Sequence, residues 1–185
     1  FFFLMHFEMN CNRLLPSIQN VYAGPLTKTI NCQWLAGSNC SYKRETLEKF
    51  RFDENLKRFS SGEDDDLSYR IYKKYQKALY QTPYAKLIHK ISPEGRLPNK
   101  KLIYMGQIYH TYLFYKNIDQ TLKNKLIFLW SRFGYLIVNV GALILKPAKS
   151  RWLRLKYLVG AYVICMRHIK EIKKGDLEFF NKGLR

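Results

Sequence analysis

The chain has 185 residues, 47% of them hydrophobic and 16% aromatic, which excludes a disordered polypeptide and leaves room for one domain or part of a larger one. Its formal net charge of +18 calls for a polyanionic partner, either nucleic acid or an anionic lipid surface. The four cysteines, Cys11, Cys32, Cys40 and Cys165, contain no C-x-x-C pair, so neither zinc nor a disulfide framework is expected and reduced thiols are.

The chain opens on the apolar run FFFLMHF, with no basic segment before it and no small-residue cleavage site after it. A signal peptide is therefore not expected, and Phe1 reads as an internal position with further sequence upstream. Residues 1–33 carry turn signals at Leu15-Pro16-Ser17 and Ala23-Gly24-Pro25. Trp34-Leu35-Ala36 predicts a strand closed by Gly37-Ser38-Asn39, and Thr46 to Phe50 a short helix. Asp66 to Tyr75 predicts a firmer helix with Leu67, Ile71 and Tyr75 on one face. Strands are expected at Ala78-Leu79-Tyr80 and over Ala85 to His89, on either side of Pro83. This alternation has α/β texture and sets residues 1–98 apart as one region.

Beyond Pro98 the character changes. Residues 101–185 hold sixteen Lys/Arg against four Asp/Glu, which places +12 of the charge there. Leu126 to Leu145 is a twenty-residue apolar run with one charge, Arg132, and with Lys123, Lys125, Lys146 and Lys149 at its ends. A second run, Trp152 to Met166, contains Arg154 and Lys156 and is short for a crossing. With basic residues at both ends there is no clear positive-inside asymmetry. Residues 99–185 therefore read as basic amphipathic and apolar helices lying in the headgroup region of a membrane. A core hairpin and a single transmembrane span are the competing readings. The tyrosines Tyr104, Tyr109, Tyr112 and Tyr115, interleaved with Lys101 and Lys116, also allow a base-stacking surface. The length of the apolar run favours lipid over nucleic acid.

Within this basic chain, eight of the fourteen acids lie between Glu45 and Asp66, and four are consecutive in SSGEDDDLSYR. Asp65 and Asp66 can serve as helix-start acids, favourable at the positive end of the helix dipole. Asp64 and Asp66 form a D-x-D, but a polar turn precedes it in place of the apolar strand that a donor-metal motif closes. A carboxylate fixed at a helix start can also act as a general base.

The block as a whole favours the last option, because WLAGSNCSYKRETL, FRFDENL, GEDDDLSYRIYKK and TPYAKLIHKISPEGR in this order resemble the acceptor half of family 2 glycosyltransferases with the GT-A fold. The resemblance covers about residues 30–98 and only loosely the tail. It implies a partial GT-A α/β domain in which Asp64 is the base that deprotonates an acceptor hydroxyl during inverting sugar transfer. It implies substrate-binding roles for Gly37, Ser38, Asn39, Glu63 and Arg70, with Asp66 as a helix cap or as the i,i+4 partner of Arg70. His89 is implied either at the metal–diphosphate end or as a structural histidine, with Ser92 and Arg96 beyond it. The family's nucleotide-binding half, with its strand-ending D-x-D, has no counterpart in residues 1–33, whose single acid is Glu8. A divalent metal, Mg or Mn, is expected for the complete enzyme, with its main ligands outside this chain. The implied partners are a nucleotide-sugar donor, a glycan or lipid-linked acceptor and an anionic membrane surface, with no nucleic acid, at the cytoplasmic face of the membrane. The alternatives are a non-catalytic basic module for membrane or nucleic acid, and an inactive truncated remnant.

Overall fold

The computed structural model describes residues 7–8, 12–57, 62–88, 90 and 98–184. Its elements run β1 (Phe7–Glu8), β2 (Arg13–Leu14), β3 (Asn20–Ala23), β4 (Ile30–Asn31), α1 (Arg44–Lys49), α2 (Glu63–Lys74), β5 (Tyr80–Gln81), α3 (Asn99–Asn117), α4 (Leu122–Leu145), α5 (Lys149–Arg167), α6 (Ile169–Lys174) and α7 (Glu178–Asn181). Short 3-10 turns lie at Gly37–Asn39 and Lys182–Leu184. The strands are small: β3 pairs in parallel with β1 and antiparallel with β2, and β4 pairs antiparallel with β5.

The chain is thus mostly helical, with a few short strands where α/β texture was expected. Trp34-Leu35-Ala36 forms no strand: the Leu35 backbone N–H goes to a side chain, and the Trp34 ring is anchored on β3. The Trp34 indole N–H donates to the Val21 carbonyl at 3.3 Å, the ring meets Tyr22 edge-on, and the Leu35 N–H donates to Ser68 Oγ at 3.2 Å. Residues 85–88 also form no strand, and His89, Ser92 and Arg96 lie outside the described residues. The strand expected at Ala78-Leu79-Tyr80 forms two residues later as β5.

The helices follow the sequence more closely. Helix α2 begins at Glu63, three residues before the expected start, because Gly62 adopts φ 110° and turns the chain into the helix from the left-handed region. A Cβ at Gly62 would also stand 2.6 Å from Leu113 Cδ1, so the position excludes a side chain twice over. Leu67 and Ile71 are buried as their spacing requires, whereas Tyr75 is the C-terminal cap and is exposed. Helix α4 starts on Thr121, whose side chain accepts the Asn124 N–H, and ends before Pro147.

The core centres on α3. Met105, Ile108, Tyr109, Leu113 and Phe114 are almost wholly buried against Phe128 of α4, Cys165 of α5 and Ile172 of α6. Phe114 stacks on Phe128 with ring centroids 4.2 Å apart. A smaller cluster packs Leu67 and Ile71 of α2 on Cys32 and Leu79. Burial of Tyr109 and Tyr112 in the main core removes half of the tyrosine ladder as a base-stacking surface.

Candidate functional site

The four consecutive acids occupy the first turn of α2. Successive residues of a helix point about 100° apart, so three adjacent aspartates must face three different neighbours. Asp64 faces the 3-10 turn, with its Oδ2 accepting the Gly37 N–H at 2.7 Å. Asp65 faces β3, and both its oxygens accept from Asn20 Nδ2 at 3.0 Å. Asp66 is fully buried and faces α3, accepting Asn117 Nδ2 and Lys116 Nζ on Oδ1, each at 2.9 Å, and Arg70 Nε on Oδ2 at 2.9 Å.

Asp64 and Gly37 are 27 residues apart in sequence, and their direct bond brings two of the expected site segments together. A Cβ at residue 37 would lie 3.3 Å from Asp64 Oδ2, so the glycine leaves room for the carboxylate itself. Beyond Gly37, Ser38 is exposed on the turn, and Asn39 donates from Nδ2 to the Ala85 carbonyl at 3.3 Å. Cys40 follows, its thiol pushed up by burial and then by the Asp64 charge. Tyr42 Oη lies 2.9 Å from Ser68 Oγ, and burial pushes the phenol up to about 12. Glu63 stands half-buried at the first position of the helix.

Asp65 is the perturbed acid of the cluster. Burial, then the adjacent Asp64 charge, raises it to about 7 against the opposing bond from Asn20. It therefore carries its proton through mildly acidic pH, which a solvated helix-start acid does not.

Arg70 is directed inward. Besides Asp66, it donates from its terminal nitrogen to the Arg51 carbonyl at 2.6 Å, which assigns it to positioning the helix. Lys116 bridges Asp66 to Asp53, and Tyr112 donates its hydroxyl to the same Asp53 oxygen at 2.6 Å. Burial works to raise Asp53, but the Lys116 and Tyr112 bonds outweigh it and hold the carboxyl below its ordinary value. This polar seam joins residues on both sides of Pro98. Among the described residues no group of three or more His, Cys, Asp or Glu side chains is placed to hold a metal ion.

The resemblance pointed to Asp64 and Gly37 and the i,i+4 spacing to the Asp66–Arg70 pair, whereas Asn20, Ser68 and Asn117 carried no signal and Tyr42 and Lys116 were not expected at these contacts. Asn20 and Asp65 are 45 residues apart, and no local periodicity marks such a pair. No family model, curated protein or solved structure matches this chain.

Proposed function

We propose that the chain is the acceptor side of an inverting glycosyltransferase working at a membrane surface, with Asp64 as general base. The observation that carries the reading is the bond between Asp64 and the Gly37 N–H, which seats a carboxylate at a helix start against the exposed Gly37-Ser38-Asn39 turn. The arrangement suits proton removal from a sugar hydroxyl: Asp64 Oδ2 accepts the Gly37 N–H and Oδ1 the Asp65 N–H at 3.0 Å, which holds the carboxylate in place, and each oxygen keeps a lone pair to take a proton. The hydroxyl oxygen attacks the anomeric carbon, its proton passes to Asp64, and the nucleoside diphosphate leaves with the bonding electrons. Ser38, Asn39 and Glu63 border this position and orient the acceptor. Asp66, Arg70, Lys116 and Asp53 brace the helix from behind.

On this reading the donor diphosphate and its divalent metal are bound by residues outside 1–185, and the partial GT-A domain is completed there. The acceptor is a glycan or a lipid-linked sugar. The test is nucleoside diphosphate release by the full-length protein from a set of nucleotide sugars. Asp64→Asn is expected to lower turnover by at least ~100-fold while donor binding changes little. Comparable turnover in the variant and the parent would overturn the assignment. The isolated 185 residues are expected to bind no nucleoside diphosphate with Mg or Mn, and a micromolar metal-dependent complex in calorimetry would place the donor site inside this chain.

A further inference from the structure

Helix α4 meets the protein on a mixed side, where Phe128 in the core is followed by Ser131, Arg132, Tyr135 and Asn139, and it presents apolar side chains to solvent, where a surface helix of a soluble domain presents polar ones. Its inward side carries Arg132, which donates to Gln107 Oε1 at 3.1 Å and to the Ser17 carbonyl at 2.9 Å. Further along, Tyr135 and Asn139 take bonds from Arg154 of α5 at 2.7 and 3.0 Å, and Arg151 donates to the Ala142 carbonyl. The hairpin of α4 and α5 is thus joined partly by a polar seam. The outward side presents Leu126, Leu129, Phe133, Ile137 and Ile144, all exposed and spaced three, four or seven residues apart.

We infer that this outward face of α4 docks on an anionic lipid bilayer, with the helix lying in the plane of the interface. Charge selects the occupant. From Gln120 to Lys170 the sequence has ten Lys/Arg and no Asp or Glu, and Lys123, Lys125, Lys146 and Lys149 stand exposed at the two ends of the apolar face. A second copy laid on the same face would bring basic ends against basic ends, whereas anionic headgroups neutralise them. The seam selects the orientation. The 24 residues of α4 reach about 36 Å, enough to cross. A crossing would carry Arg154, bonded midway along α4 at Tyr135 and Asn139, into the hydrocarbon layer, where a charge is costly. Lying flat leaves the seam on the protein side and buries only the apolar face.

The inference deepens the membrane-surface part of the proposed function and rests on that part, independently of the transferase chemistry. Its test is flotation of the chain with vesicles of equal parts phosphatidylglycerol and phosphatidylcholine, read without any activity. The chain is expected to float at low salt, to be released only in part by high salt, and to bind phosphatidylcholine vesicles less well. Phe133→Asp and Ile137→Asp, both at exposed positions, are expected to weaken partitioning by at least about tenfold each with the helical circular dichroism unchanged. Lys123→Ala and Lys125→Ala are expected to weaken it about fivefold each on the anionic vesicles. Absence of flotation, or flotation unaltered by the aspartate variants, would overturn the docking face. A stable dimer in sedimentation that Phe133→Asp dissociates, without lipid binding, would assign the face to a second copy. Retention in the bilayer after alkaline carbonate would assign a crossing and overturn the in-plane orientation.

Discussion

Asp65 offers the sharpest test of how the acid cluster is built, through the substitution Asp65→Asn. In the folded chain burial and the Asp64 charge raise this carboxyl from 3.8 to about 7, so between those values the native state holds a proton that the unfolded state has lost. Since stability falls with pH wherever the native state binds more protons, folding weakens as pH climbs through this window and levels off above pH 7. Full burial would make the loss about 4 kcal/mol, and the solvent contact that Asp65 retains lowers the expectation to on the order of 2 kcal/mol. Asparagine keeps the shape, carries no charge, and its carbonyl still accepts from Asn20 Nδ2. Urea unfolding of parent and variant at about pH 4 and about pH 8 reads the difference. The two proteins are expected to match within about 0.5 kcal/mol at the acidic value, with the variant more stable by about 2 kcal/mol at the basic one. A variant that is less stable by the same amount at both pH values would refute the reasoning, because the Asn20 contact and not the ionisation would then control the site.

Further substitutions separate support from chemistry. Asp66→Ala leaves Arg70, Lys116 and Asn117 around an empty buried position and is expected to cost about 3–5 kcal/mol in denaturant unfolding, whereas a loss under about 1 kcal/mol would show the network to be dispensable. Gly62→Ala meets both the left-handed φ and Leu113, and thermal unfolding is expected to show a loss of about 1–3 kcal/mol; an unchanged transition would contradict the local geometry. In Gly37→Ala the new methyl presses on Asp64 at 3.3 Å, so if the proposed transferase reading holds turnover is expected to fall while stability changes by less than about 1 kcal/mol. A variant with parental turnover would show that the close approach of these two residues does not control the proposed reaction.

Helices α1, α2, α4 and α5 were legible in the sequence because their signals are local. Leu67 and Ile71 recur at helical spacing, α4 and α5 hold the long apolar runs Leu126 to Leu145 and Trp152 to Met166, and the Asp66–Arg70 pair is an i,i+4 neighbour that any helix brings together. The absence of a strand at Trp34 and the early start of α2 were not legible, because distant residues bear on both: Ser68 takes the Leu35 backbone N–H, and the glycine at 62 turns the chain against Leu113. The resemblance of the acid block brought Asp64 and Gly37 to notice, but only the tertiary structure made them a bonded pair and gave Asp65 its raised affinity for a proton. Which side of α4 faces the protein was likewise a tertiary decision. Periodicity sorts residues among the faces of a helix, and an apolar stripe ordinarily goes inward. Here Ser17, Gln107 and Arg154 supply partners for Arg132, Tyr135 and Asn139, so these polar residues turn in alongside Phe128 and an apolar stripe is left facing out.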